Sequence, residues 1–296
     1  MADITLLDGS IGQELVKRSG DAPTPLWSTR VMMDHPELVG DVHADYFSRG
    51  ATVATTNTYA VHRSRLDRVG LGDQLPGLIE AALSQAERAR PAGRRIAGAL
   101  GPLLASYRPD LNPEVEEAAE KFSELVAMMA DRVDLFLIET VSSVQEAEGA
   151  LRGTEQADKP VWLALSVMDD DGTRLRSGEP LSGIASLVDR FTPEAVLINC
   201  SRPEAVPAAL NIIATFGRPF GAYANGFTGI TQEFLQDAPT VDALQQRHDL
   251  GPDEYADQAM GWVAQGATII GGCCEVGPDH IQRLADRLCA AGHSIV

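Results

Sequence analysis

The chain of 296 residues carries 24 Lys and Arg against 42 Asp and Glu, a formal net charge of −18 that argues against a nucleic-acid partner. With 44% hydrophobic and 22% charged residues, its composition is not that of a disordered segment, and a sizeable core is expected. No Gly/Ser/Pro-rich linker interrupts it, so a single domain over residues 1–296 is predicted.

The opening MADITLLDGS lacks a basic stretch followed by a long apolar one, and no run approaches the roughly 18 apolar residues that cross a bilayer. The expectation is a cytoplasmic protein with no membrane contact. Four cysteines are too few to staple a chain of this size, and a reducing compartment favours metal binding or reactivity over disulfides.

Short apolar runs alternate with amphipathic stretches from one end to the other. Strands are predicted at 4–8, 52–57, 95–100, 135–139, 161–167, 195–200, 219–223 and 267–271, each followed by helix-like sequence. Eight such units are the count of a (β/α)8 TIM barrel, an α/β fold. The segments 12–34 and 225–252 exceed the usual connection length and read as functional loops. In the third helix Asn112 is expected to cap and Pro113 to take the first helical position, ahead of Val115, Ala118, Phe122, Val126 and Met129 at helical spacing. The last helix starts near Pro278 and carries Ile281, Leu284, Ala285 and Leu288 on one stripe, with Gly292 after its end. Cys289 flanks that stripe and reads as a small buried hydrophobe.

In a parallel barrel the groups that do chemistry cluster where strands end. The predicted ends offer Asp8 and Gly9, Thr56 and Asn57, Glu139 and Thr140, Cys200, Asn225, and Cys273 with Cys274. Sulfur ligands suit zinc, and three protein donors leave a fourth tetrahedral position open, so Cys200, Cys273 and Cys274 are candidate ligands of a catalytic Zn2+. Neighbouring strand residues point to opposite faces, so the adjacent pair requires an irregular strand end, which Gly271 and Gly272 permit. The alternative for each cysteine is a small buried hydrophobe. Glu139 could equally bridge to a loop or cap a helix. Asp8 precedes Gly9-Ser10-Ile11-Gly12, a plain turn or a place where amides approach a ligand carboxylate.

Asp169-Asp170-Asp171-Gly172 fails as a calcium loop, because the first ligand would fall on Val167, and reads as an acidic turn. GxxxxGK[ST], HExxH, GxSxG and complete GxGxxG patterns are absent, and the six histidines lack ligand spacing.

DGSIG at Asp8, PLWSTRVMMDHPELVGDVHADYFSRGA followed by TNTYA, LIET at Glu139, INCS ending at Cys200 and GGCCEVGPDHI together resemble the homocysteine S-methyltransferase family across nearly the whole chain. The resemblance implies a zinc-dependent barrel with Cys200, Cys273 and Cys274 as metal ligands. It also implies that Asp8, Gly9, Thr56 and Glu139 hold the ammonium and carboxylate of homocysteine. Asn225, at its strand end, joins them as a candidate substrate contact. Gln13 stands where the family often has Thr, and Glu275 where Arg is frequent. The stand-alone members imply a small methylsulfonium donor, S-methylmethionine or S-adenosylmethionine, for which Trp27 and Tyr59 are candidate aromatic faces. A module fed by a corrinoid, folate or betaine donor is the alternative. Asp41-x-His43-x-x-Tyr46 comes near a cobalamin-binding pattern but lacks its glycine. A non-catalytic zinc or thiol-binding protein would use the same cysteines.

Overall fold

A computed structural model describes residues 1–22, 24–236 and 243–296. Among the described residues are nine parallel strands: β1 (Asp3–Leu6), β2 (Val53–Thr55), β3 (Arg95–Leu100), β4 (Leu135–Val141), β5 (Val161–Leu165), β6 (Ala195–Asn199), β7 (Phe220–Tyr223), β8 (Ile269–Ile270) and β9 (Ser294–Ile295). They hydrogen-bond in the order β2 to β8, then β1 and β9. A parallel bridge between Leu7 and Val53 joins β1 back to β2, so the first eight close into the expected barrel. β9 pairs with the first residues of β1.

The barrel is buried on both faces, which is why its strands read as continuous apolar runs. Leu135 and Leu137 pack inside the barrel with Leu7, Val53, Trp162 and Leu197. Phe136 and Ile138 point outward, into the layer shared with the helices. The two-residue period carries the inward face of β4 on to Glu139, at the rim.

The helices are α1 (Ile11–Ser19), α2 (Ser28–Asp34), α3 (Pro36–Ser48), α4 (Arg63–Leu66), α5 (Leu75–Ala89), α6 (Val115–Met129), α7 (Val144–Thr154), α8 (Ala185–Phe191), α9 (Val206–Ile213), α10 (Pro252–Ala264) and α11 (Pro278–Ala290). Several sequence expectations are corrected. The segment 12–34 is largely helical: α1 buries Ile11 and Leu15 on one face and ends at Gly20 in the left-handed conformation. Asn112 does not cap α6, which starts two residues beyond Pro113. Standing before a proline, Asn112 is held extended, and its amide donates to Ser143 Oγ at 3.2 Å. Cys289 is exposed, one residue past the buried Leu288. Of the segment 225–252, residues 237–242 lie outside the described residues; Phe227 and Gln246 bridge across the remainder.

Gly221 on β7 faces Ile269, and a Cβ there would land on the Ile269 carbonyl oxygen. Gly221→Ala should therefore destabilise the barrel by about 1–3 kcal/mol, read as a lower urea midpoint at constant slope. An unchanged midpoint would contradict this packing.

Candidate metal and substrate site

The strand ends open into a cavity of about 230 Å³ lined by Asp8, Gly9, Thr56, Glu139 and all three clustered cysteines. At its base Asp8 is buried, and its carboxylate accepts the Thr55 amide at 2.7 Å and the Thr55 hydroxyl at 2.9 Å. Burial pushes its carboxyl well above the usual range; the Thr55 hydrogen bonds oppose this, and the nearby Glu139 adds to it. Gly9 follows because no side chain fits there: a Cβ would strike the Val276 carbonyl. The chain then enters α1, whose first residues, Ile11, Gly12 and Gln13, also line the cavity. Amides at a helix start suit an anion.

Glu139 ends the inward face of β4, and an irregularity there brings Thr140 to the cavity as well. The register with β5 shifts between Ile138 and Val141, and Thr140 takes φ +61°, a costly conformation for a β-branched residue. Asn199 on β6 holds it there: Asn199 Oδ1 accepts the Thr140 amide at 3.0 Å and Asn199 Nδ2 donates to its hydroxyl at 3.0 Å. Glu139 and Thr140 therefore both line the cavity. The Tyr223 hydroxyl donates to Glu139 Oε1 at 2.9 Å. Burial pushes the Glu139 carboxyl up to about 7, with the Tyr223 hydrogen bond acting against it.

The cysteines come from two loops. Cys200 follows β6 at φ +46°, and its carbonyl accepts Arg176 Nη2 at 3.0 Å and the Ser166 hydroxyl at 3.3 Å. Arg176 is itself anchored by Asp169 at 2.8 Å. The expected irregular end of β8 is present. The strand stops at Ile270, and the Gly272 amide donates to the Asp8 carbonyl while the Cys273 amide donates to Ala224. Gly271 and Gly272 act by close approach: their Cβ atoms would meet Leu7 and Val276.

The three sulfurs lie within 4.8 Å of one another and could hold a metal ion. Cys274 Sγ is 3.9 Å from Cys200 Sγ and 4.0 Å from Cys273 Sγ. These spacings approach the ~3.8 Å edge of a tetrahedron built on ~2.3 Å metal–sulfur bonds. Cys200 and Cys273 are in disulfide contact, a pairing the sequence reading ranked below metal binding. Burial pushes the Cys274 thiol up to about 12, with Gln13 opposing and Glu275 adding to the rise, so a bound cation is what would make it a thiolate at neutral pH.

Not every expected residue meets the cavity. Asn225 is buried off its wall, and its Oδ1 accepts the Phe227 amide at 3.2 Å. Thr56 is on the wall, but its hydroxyl proton is committed. Thr58 donates to the Ala99 carbonyl, so Thr56 is the donor in the 2.7 Å contact with Thr58, and it accepts the Ala99 amide at 3.0 Å. Gln13 lines the cavity, with Oε1 accepting from Ser10 and its side chain acting on the Cys274 thiol. Glu275 lies half-buried beside the cluster at φ +64°. Trp27 and Tyr59 both line the cavity, edge to face with centroids 6.1 Å apart. In α3 Asp41 pairs with Arg88 at the surface while His43 is fully buried, so the pair presents no common face. Thr55, Asn199, Tyr223 and Arg176 were missed. Tyr223 and Thr55 sit in predicted strands, next to or at the rim, and inward alternation from Val53 would have found Thr55; the Asn199 and Arg176 contacts have no local sequence signal.

Glu139 titrates near 7 in the fold against an ordinary value of 4.5, so its contribution to stability is complete below the ordinary value and is lost as pH rises through about 7. The Tm of reduced, metal-free protein should fall between pH 5 and pH 8, and Glu139→Gln should flatten part of that fall. Parallel pH profiles for the two proteins would contradict the burial of an uncompensated carboxyl.

Comparison with known proteins agrees with this geometry. The homocysteine S-methyltransferase family model matches residues 5–288. A homocysteine S-methyltransferase of Escherichia coli is 29% identical, covering 96% of this chain and 95% of that protein. Homocysteine S-methyltransferase YbgG of Bacillus subtilis is 26% identical over 95% and 93% of the two chains. The crystal structure of the homocysteine methyltransferase MmuM from Escherichia coli, in a metallated form, superposes with a TM-score of 0.80 at 28% identity, covering 96% of each chain. The chain belongs to the homocysteine S-methyltransferase family and is a methyltransferase.

Proposed function

We propose that this enzyme moves a methyl group from a small methylsulfonium, S-methylmethionine or S-adenosylmethionine, to the sulfur of L-homocysteine, with Cys200, Cys273 and Cys274 holding Zn2+. The observation that carries this reading is one cavity joining a three-sulfur cluster to two buried carboxyls. Zinc, when bound, supplies the positive charge that keeps a coordinated thiol deprotonated at neutral pH.

The protein's own groups orient the amino acid. Glu139, fixed by Tyr223, and Asp8, fixed by Thr55, are buried acceptors with no cation in ion-pair contact among the described residues, and they suit the homocysteine ammonium. Its carboxylate fits the Gly9 amide and the start of α1, while Thr56 shapes the adjacent wall. This pairing directs the thiol side chain toward the cysteines. Trp27 and Tyr59 offer ring faces and edges to a sulfonium cation. As the homocysteine sulfur bonds to the methyl carbon, the sulfonium C–S bond breaks and its electron pair stays on the departing sulfur. The leaving group is a neutral thioether, so no residue has to protonate it, and alignment is the main task of the chain.

The test incubates purified zinc-loaded protein and homocysteine separately with S-methylmethionine, S-adenosylmethionine, betaine, methylcobalamin and methyltetrahydrofolate, and assays methionine. Turnover with a sulfonium is expected; turnover confined to the corrinoid, folate or betaine arms would refute the donor assignment. Cys273→Ser/Cys274→Ser should lose both zinc and activity, whereas Cys289→Ser, altered on the exposed side of α11, should lose neither. Full zinc content in the double variant would refute the ligand set.

A further inference from the structure

The inner end of the cavity is acidic, at Asp8 and Glu139, but two arginines, Arg65 on α4 and Arg68 in the turn that follows, line another part of it. Nε and Nη2 of Arg65 both donate to the Pro102 carbonyl, at 3.2 and 2.7 Å, and its guanidinium carbon lies 5.7 Å from the centre of the Tyr59 ring. Arg63, two residues away, is paired with Glu124, yet neither Arg65 nor Arg68 has a carboxylate within ion-pair range among the described residues. Burial and the charge of Arg68 both work against the Arg65 cation, while Tyr59 and the more distant Glu146 favour it. A guanidinium keeps its proton in proteins, so the half-buried Arg65 and the exposed Arg68 are two like charges lining one cavity.

Tyr59 lines the same cavity as the sulfurs and both arginines. The Tyr59 hydroxyl bonds Ser106 Oγ at 2.7 Å, and the guanidinium of Arg65 lies against its ring. In an amino-acid sulfonium four bonds, about 5 Å when extended, separate the sulfur from the carboxylate carbon. A sulfonium placed against Tyr59 can therefore present its carboxylate to the guanidinium fork, whose planar donors match a carboxylate.

We infer that Arg65 and Arg68 form the subsite for the carboxylate of an amino-acid methylsulfonium donor, separate from the Gly9 end that receives the carboxylate of homocysteine. This rests on the sulfonium reading above and adds a donor-recognition element to it. The chain would then select donors bearing a carboxylate over simple sulfonium ions.

Steady-state kinetics with S-methylmethionine and with its methyl ester test this, in the zinc-loaded native protein, Arg68→Gln and Arg65→Lys. The native protein should prefer the free acid by about tenfold or more in kcat/KM. Arg68→Gln should erase most of that preference through the KM for the acid, with the KM for homocysteine and the zinc content unchanged; Arg65→Lys should weaken it while keeping the fold. Equal use of acid and ester by the native protein, undiminished discrimination in Arg68→Gln, or a loss that falls on homocysteine instead would each overturn the subsite. Calorimetric binding of acid and ester to the same proteins reads the subsite without turnover. If no sulfonium donor is turned over but acid-selective binding persists and depends on Arg68, the donor reading fails while the carboxylate subsite stands. If binding shows no such selectivity, the subsite fails.

Discussion

Two buried carboxyls and three sulfurs, one buried and two half-buried, meet at the barrel mouth with no cation in ion-pair contact among the described residues. Burial disfavours the charged form of each, which is why Asp8, Glu139 and Cys274 all titrate above their ordinary ranges. Such an arrangement is unfavourable alone and is relieved when cations arrive. Under the proposed function, a divalent ion on the sulfurs and an ammonium against the carboxyls would meet that need in two steps, so the same electrostatics would suit a metal-binding cluster and an amino-acid pocket beside it. Preorganisation is the benefit: groups already desolvated and fixed do not have to be ordered during the reaction.

Backbone strain is concentrated in the same place. Trp27, Tyr107, Thr140 and Cys200 all take positive φ and all line the cavity, and Glu275 does so one residue past the cysteine pair. Thr140, Tyr107 and Cys200 are held by contacts from neighbouring loops. Asn199 grips both polar groups of Thr140. Arg176, held by Asp169 and stacked 5.0 Å from the Tyr107 ring centre, fixes the Cys200 carbonyl. These contacts tie the loops after β4, β5 and β6 into one frame, so displacement of any one loop would disturb sulfur and carboxylate geometry together.

The sequence carried the barrel because its strands are buried on both faces and its helices on one, two periodicities that are read locally. The strand 95–100 coincides with β3, and six others overlap their observed partners with ends within two residues. The eighth, at 267–271, contains the shorter β8, whose two residues precede a loop bent by close glycine packing. The two-residue β9 is too short to leave a periodic signal. The segment 12–34 is helical against expectation because α1 and α2 are short, and the buried residues of each mix polar and apolar side chains. The expected residues that line the cavity, Asp8, Glu139 and the cysteines among them, sit at strand ends. Those that were not expected, Asn199 and Arg176, act on partners 59 and 24 residues away. Asn225 illustrates the reverse case: it stands beside the end of β7, but its side chain folds onto its own loop.

The central claim is that the three cysteines and the homocysteine sulfur share one zinc ion. X-ray absorption at the zinc edge, on protein loaded with one equivalent of metal, reads the sulfur count directly. Three sulfurs and one lighter donor are expected before substrate is added, and four sulfurs at about 2.3 Å once homocysteine saturates the protein. A coordination shell unchanged by homocysteine, or one poor in sulfur from the outset, would contradict the account.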